Sequence, residues 1–122
     1  MLYAGGKGDF FQQPVPTAKS ASATLTIAEL LTAIVTTSGT AAITLTLPTG
    51  TLTDAGVTAP ALPVNGCFDW TIINTGTSSG AVTVAAGTGH TLVGSATVAI
   101  GTSAGFRTRK AAANTFVTYR LR

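Results

Sequence analysis

Cys67-Phe68-Asp69-Trp70-Thr71-Ile72-Ile73 is the stretch whose reading decides the fold. Phe68, Trp70 and Ile72 alternate with Cys67, Asp69 and Thr71, and a period of two predicts a strand with one buried face. The alternation sends Phe68 and Trp70 to the core. Cys67 has no neighbouring cation and no helix N-terminus in sequence, the surroundings that activate a thiol, so it reads as a small core or interface filler.

Upstream of this strand, residues 41–47 set Ile43, Leu45 and Leu47 against Thr44 and Thr46, and Pro48 and Gly50 close the run. Residues 22–28 set Leu25 and Ile27 against Thr24 and Thr26. Residues 27–35 space Leu30, Leu31 and Ile34 for one or two helical turns. Residues 51–66, punctuated by Asp54, Gly56, Pro60, Pro63 and Asn65-Gly66, read as a long connection. Downstream, residues 81–86, 90–94, 96–100, 105–111 and 114–121 are short runs bounded by Gly, Ser or Asn. Roughly seven or eight strands spaced by about 8–12 residues imply an all-β sandwich or barrel. The long 48–66 connection suits a Greek-key crossover better than a hairpin. The expected fold is therefore all-β, a small jelly-roll-like two-sheet sandwich.

Residues 1–20 differ. Tyr3, Phe10, Phe11, Pro14 and Pro16 fall here without period 2 or 3.6, and each proline biases its predecessor to extended backbone. The chain divides into an extended N-terminal arm (1–20) with aromatic anchors and a β-sandwich body (21–122).

Thr, Ala and Gly supply 58 of the 122 residues, and Asp, Glu, Lys and Arg together only 11. Soluble domains carry about a quarter charged residues. Threonine hydroxyls and methyls with so few charges suit a surface covered by copies of the same chain or by a larger assembly. The expectation is a structural protein, a homo-oligomer, with an interface as its site. No run approaches the ~20 apolar residues of a membrane span. Residues 1–16 contain no apolar h-region, and the single cysteine excludes an internal disulfide framework, so synthesis and use in a reducing cytoplasm are expected.

Catalytic chemistry finds no constellation. His90 sits in Gly-Thr-Gly-His-Thr without a recognisable acid or nucleophile partner, and reads as an exposed or locally hydrogen-bonded turn histidine. The glycine-rich runs match no phosphate-binding fingerprint, and the dispersed acids lack metal-ligand spacing. No catalytic residue, cofactor or metal is assigned, and the chain is read as a non-enzyme.

Charge is placed unevenly. Arg107, Arg109, Lys110, Arg120 and Arg122 lie in the last 16 positions, where no acid appears. Such a ribbon attracts nucleic acid or an acidic protein surface, although alternating charges also simply keep a strand face wet.

The run GTGHTLVGSATVAIGTSAGFRTRKAAANTFVTYRL (87–121), with LTIAELLTAI (25–34) and TLPTGTLTDAG (46–56), resembles small head decoration or cement proteins of tailed bacteriophages. FRTRK and NTFVTYRL are its distinctive parts, and the resemblance covers about residues 25–122. It implies a β protein on the outer surface of a phage head, bridging capsid subunits and stabilising the mature shell. The implied partner is the major capsid protein, the implied homo-oligomer a dimer or trimer, and the implied location the virion exterior after synthesis in the host cytoplasm. Under that resemblance Tyr3, Phe10 and Phe11 anchor the arm, and Arg107, Arg109, Lys110 and Arg120 form a basic face towards acidic capsid surface. The alternative for the arm is that it covers its own sandwich. Two further functions compete. One is a tail-associated or receptor-contacting β-rich virion module. The other is a single-stranded nucleic-acid binder, which would need Phe106, Phe116 and Tyr119 as stacking platforms; direct nucleic-acid contact is not expected.

Overall fold

The computed structural model describes residues 2–5, 8–38, 40–58 and 61–122, with side chains described from Gln12 onward. β1 (Leu2–Gly5) and β2 (Gly8–Phe11) form a two-stranded antiparallel sheet that pairs Tyr3 with Phe10 and Leu2 with Phe11. The body follows as β3 (Thr17–Lys19), β4 (Ala23–Thr24), α1 (Ile27–Leu30), β5 (Ile34–Thr37), β6 (Ile43–Thr46), α2 (Gly50–Gly56) and β7 (Cys67–Asn74). It ends with β8 (Val82–Ala85), β9 (His90–Val93), β10 (Thr97–Val98), β11 (Ser103–Ala112) and β12 (Thr115–Arg120).

A six-stranded sheet has the order β3-β5-β7-β11-β12-β9, and a four-stranded sheet the order β10-β8-β6-β4. The two pack face to face around one apolar cluster, the two-sheet sandwich expected from the alternating runs. From β3 to β8 the chain steps between sheets at every strand. Each of these strands lies parallel to the one two before it: β3 with β5, β5 with β7, β4 with β6, β6 with β8. A parallel pair needs a crossover, and here a strand of the opposite sheet supplies it. This coil is then closed by antiparallel pairs, β10 on β8 and β7-β11-β12, with β9 parallel to β12. A jelly roll is built from antiparallel Greek keys, so these pairings do not draw one. The 48–66 connection is a step from one sheet to the other rather than a Greek-key crossover.

Thr17–Lys19 also departs from the sequence reading. Assigned to the arm, these residues pair with Val35–Thr37 and form the edge of the six-stranded sheet.

The two helices have different origins. α1 is written locally: the Thr26 hydroxyl accepts the Glu29 N–H at 3.2 Å, and Glu29 Oε1 accepts the Thr26 N–H at 2.9 Å, a capping box. Ala33, at φ 69°, turns the chain into β5. α2 lies in the stretch read as a connection, because Gly and Thr are weak helix formers. Thr49 caps it, accepting the Leu52 N–H at 3.2 Å, and contacts to the last hairpin hold it.

The core follows the period of two. Trp70 stacks on its cross-strand partner Phe106 with centroids 4.6 Å apart and planes at 19°, which adds about 0.5–1.5 kcal/mol to their burial. Ile72, Val35, Leu45 and Val84 complete the layer, and Phe68 packs at its margin. Outward positions on the small sheet, Thr44 and Thr83, are exposed.

Candidate interaction face

Alternation along β11 decides where the basic residues go. Ala104, Phe106 and Thr108 are buried, so Arg107 and Arg109 project from the opposite, outer side of the six-stranded sheet. Lys110 has the parity of the buried set, and Arg120 pairs with Phe106 and shares its side. The four residues expected on one basic face are therefore divided, two to each side of the sheet.

The inward pair is structural. Lys110 Nζ lies 2.8 Å from Asp54 Oδ1, and Asp54 Oδ2 accepts the Asn114 N–H at 2.8 Å. One carboxylate thus ties α2 to the β11–β12 hairpin, and the Lys110 contact, then the Asn114 N–H, holds its pKa below the ordinary value. Arg120 donates to the carbonyls of Ser95, at 3.3 Å, and Thr97, clamping β12 to the segment carrying β10. Its guanidinium lies 6.0 Å from the Phe106 ring centroid.

The outer side is different. Arg107 binds its cross-strand partner Asp69 bidentately, Nε to Oδ1 at 2.6 Å and Nη2 to Oδ2 at 2.9 Å, with 48% and 56% of the two side chains exposed. The Arg107 hydrogen bonds hold the Asp69 carboxyl below its usual range, and Arg122 adds to the effect; the pair raises Arg107 in turn. Arg109 Nε donates to the Tyr119 hydroxyl at 2.9 Å and Nη1 to Asn65 Oδ1 at 2.9 Å, with the guanidinium 5.8 Å from the Tyr119 ring centroid. The Arg122 guanidinium lies against Gly105, whose missing Cβ would sit 3.2 Å from Arg122 Cζ. Successive outward positions of a strand are about 6.6 Å apart. The outer face of β11 therefore carries a file of guanidinium groups over Gly105, at Arg107 and at Arg109.

Around this file, Tyr119 is paired with Val93 and Val117 with Thr91. Val93 and Leu121 are exposed. Cys67 pairs with Arg109 and is exposed too; it shares the parity of Asp69, so the core role expected for it does not hold. Among the described side chains each carboxylate has a cation: Glu29 with Lys19 at 2.7 Å, Asp69 with Arg107, Asp54 with Lys110. Arg109, Arg120 and Arg122 have no carboxylate within ion-pair distance among the described residues.

His90 is a correction and the functional-looking group that the sequence reading undervalued. It is 6% exposed, not an exposed turn residue. Its Nδ1 lies 3.3 Å from the Pro48 carbonyl and its Nε2 2.5 Å from Thr118 Oγ1. Thr118 Oγ1 is 2.8 Å from Thr108 Oγ1, which accepts the Trp70 Nε1–H at 3.0 Å. A carbonyl only accepts, so Nδ1 carries the imidazole proton. Thr118 then donates to Nε2, Thr108 to Thr118, and Trp70 to Thr108. This one-directional chain needs neutral His90, and burial lowers its pKa, partly offset by Pro48. The signal was available: in His-Thr-Leu-Val, His90 is in phase with Leu92. Neither hydroxyl in this hydrogen-bonded series, Thr108 or Thr118, is open to solvent.

The side chains of Tyr3, Phe10 and Phe11 lie outside the described residues. Phe106 and Phe116 are fully buried. No group of three His, Cys, Asp or Glu placed to hold a metal, and no ligand-sized cavity, is found among the described residues. No protein-family model, curated protein or solved structure matches the chain.

Proposed function

We propose that this chain is a structural virion protein, a decoration or cement protein bound to the outside of a tailed-phage head. The observation that carries the reading is the outer side of the six-stranded sheet, where exposed Arg107, Thr91 and Val93 and half-buried Arg109, Val117 and Tyr119 share one side that holds a single ion pair among the described residues. Tyr and Arg are enriched at protein interfaces, and most charged residue types are depleted there. In this reading the face, with the aromatic residues Tyr3, Phe10 and Phe11, docks on the major capsid protein, and the chain acts as a homo-oligomer. It bridges shell subunits, and it acts from the virion exterior after synthesis in the host cytoplasm. A jelly-roll order is not required; a sheet backed by a second sheet serves the same purpose. Stabilisation follows from binding the mature shell and not its opened form.

The test is co-sedimentation of purified protein with mature heads that lack it, followed by heating to score DNA release. Saturable binding with a raised release temperature is expected. Absence of saturable binding to heads would sink the reading.

A further inference from the structure

We infer that the outer file on β11, Arg109 with the Arg122 guanidinium seated over Gly105, is a docking site for a carboxylate-bearing protein surface. The inference deepens the reading above by naming the contact face and its partner chemistry. Three observations carry it.

The first is charge. The described acids are each matched with Lys19, Lys110 or Arg107, so the positive charge left over among described side chains belongs to Arg109, Arg120 and Arg122. Arg120 is turned to the other side of the sheet and engaged with carbonyls. Arg109, half-buried, and Arg122, exposed, remain on the outer side.

The second is preorganisation. Arg109 is fixed by the Tyr119 hydroxyl, by Asn65 and by the Tyr119 ring, so little side-chain entropy is lost when it engages a partner. The guanidinium N–H groups not used by Tyr119 and Asn65, those of Nη2 foremost, donate to a carboxylate in a defined orientation, which an ammonium does not. Arg107 lies between the two guanidiniums that lack a carboxylate, and its bidentate partner Asp69 keeps the file from carrying three uncompensated charges in a row.

The third decides between partners. A single-stranded nucleic acid needs exposed aromatic faces. Phe106 and Phe116 are fully buried, and Tyr119 already lies beneath Arg109. A second copy of the chain offers no free carboxylate among its described side chains. What fits is a foreign protein surface with acidic groups about two outward strand intervals apart, roughly 13 Å, and Val93 and Val117 alongside supply apolar contact.

The experiment measures binding of fluorescently labelled poly-L-glutamate by anisotropy at low salt, with oligo-dT of equal length as the competing polyanion. Arg109→Gln and Arg122→Gln should each weaken poly-L-glutamate binding about threefold, and about tenfold together. Arg120→Gln removes the same charge from the other side of the sheet and should leave binding within experimental error. Arg109→Lys, which keeps the charge and loses the fork, should fall between wild type and Arg109→Gln. Emission from Trp70, the single tryptophan, reports that each variant is folded.

Equal losses from Arg120→Gln and Arg109→Gln would reduce the effect to net charge and overturn the site. So would absence of poly-L-glutamate binding. Tighter binding of oligo-dT with the same arginine dependence would reassign the face to nucleic acid, and self-association abolished by Arg109→Gln would reassign it to a second copy. Glutamate binding at this site without binding to phage heads would sink only the phage assignment. Binding to heads that is unchanged in the double variant would sink only the site.

Discussion

Replacing Thr118 by Val tests whether the buried chain from Trp70 to His90 acts as one unit. The substitution preserves shape and removes a single hydroxyl from a fully buried position. That hydroxyl serves two neighbours: it donates to His90 Nε2 at 2.5 Å and accepts from Thr108 at 2.8 Å. With Val in place, the imidazole nitrogen loses its donor and the Thr108 hydroxyl loses its acceptor, both where water cannot replace them. Each lost bond costs about 1 kcal/mol net, and a buried group left unpaired costs about 1–3 kcal/mol. The added methyl offsets part of this, leaving an expected loss of about 2 kcal/mol. A domain of this size is stable by about 5–15 kcal/mol, and Tm should fall by about 4–10 °C. The assay is urea unfolding followed by Trp70 emission, with an unchanged m-value showing that the native state is intact. Thr108→Val alone should cost a similar amount, because the indole N–H of Trp70 loses its acceptor. The double variant should cost less than the sum by about 1 kcal/mol, since breaking the chain once already unpairs its middle. A Thr118→Val loss below about 0.5 kcal/mol, or strict additivity with Thr108→Val, would refute the chain as a cooperative element.

The remaining predictions follow from neighbouring features. Burial lowers the His90 pKa, so the unfolded chain takes up that proton first. The His90 contribution is present above the unfolded value of about 6.5 and is lost as pH falls through the folded value, with a slope of at most about 1.4 kcal/mol per pH unit. His90→Gln should abolish this step and leave the separate acid loss that comes as Glu29, Asp54 and Asp69, all with lowered pKa, become protonated; urea midpoints from pH 8 to pH 3 test both. Gly50→Ala places a Cβ 1.9 Å from the Asn114 carbonyl oxygen and 2.8 Å from that of Gly89, and rigid backbone on two sides should make it cost about 3 kcal/mol or more; a loss below about 1 kcal/mol in the same unfolding assay would show that α2 is not seated there. Asp54→Asn should lower Tm, and the loss should shrink in a Lys110→Met background if the two residues act as a pair. Thr37 Oγ1 is buried without a partner among the described residues, so Thr37→Val should hold or raise stability by up to about 1 kcal/mol.

What could be read ahead of the structure divides along a physical line. Period-2 signals depend on residues adjacent in sequence, so 67–73 and 41–47 gave their strands and their apolar faces, and 81–86 and 114–121 gave their strands. The capping box of α1 is equally local. α2 was missed because Thr49 to Gly56 has weak helical propensity, and its stability comes from Asp54 reaching residues more than 50 positions away. The parallel coil was missed for a related reason. Alternation says that a strand has one buried face but not which sheet it joins, and an antiparallel and a parallel two-sheet order produce the same pattern of apolar residues.

The interaction face shows the same division within single residues. Arg107, Arg109, Lys110 and Arg120 looked like one cluster because they are close in sequence. The period of two had already separated them: Lys110 follows Arg109 directly, so on a strand the two must point to opposite sides. Their roles follow from that parity. The inward pair closes the structure, Lys110 through Asp54 and Arg120 through backbone carbonyls. The outward pair differs further, because only Arg107 has an acid opposite it. Which arginine is left free was set by the cross-strand register that places Asp69 beside Arg107 and Cys67 beside Arg109. A shift of that register by two residues would have neutralised Arg109 and exposed Arg107. The place of the surplus charge on the outer face is thus set by strand pairing rather than by composition.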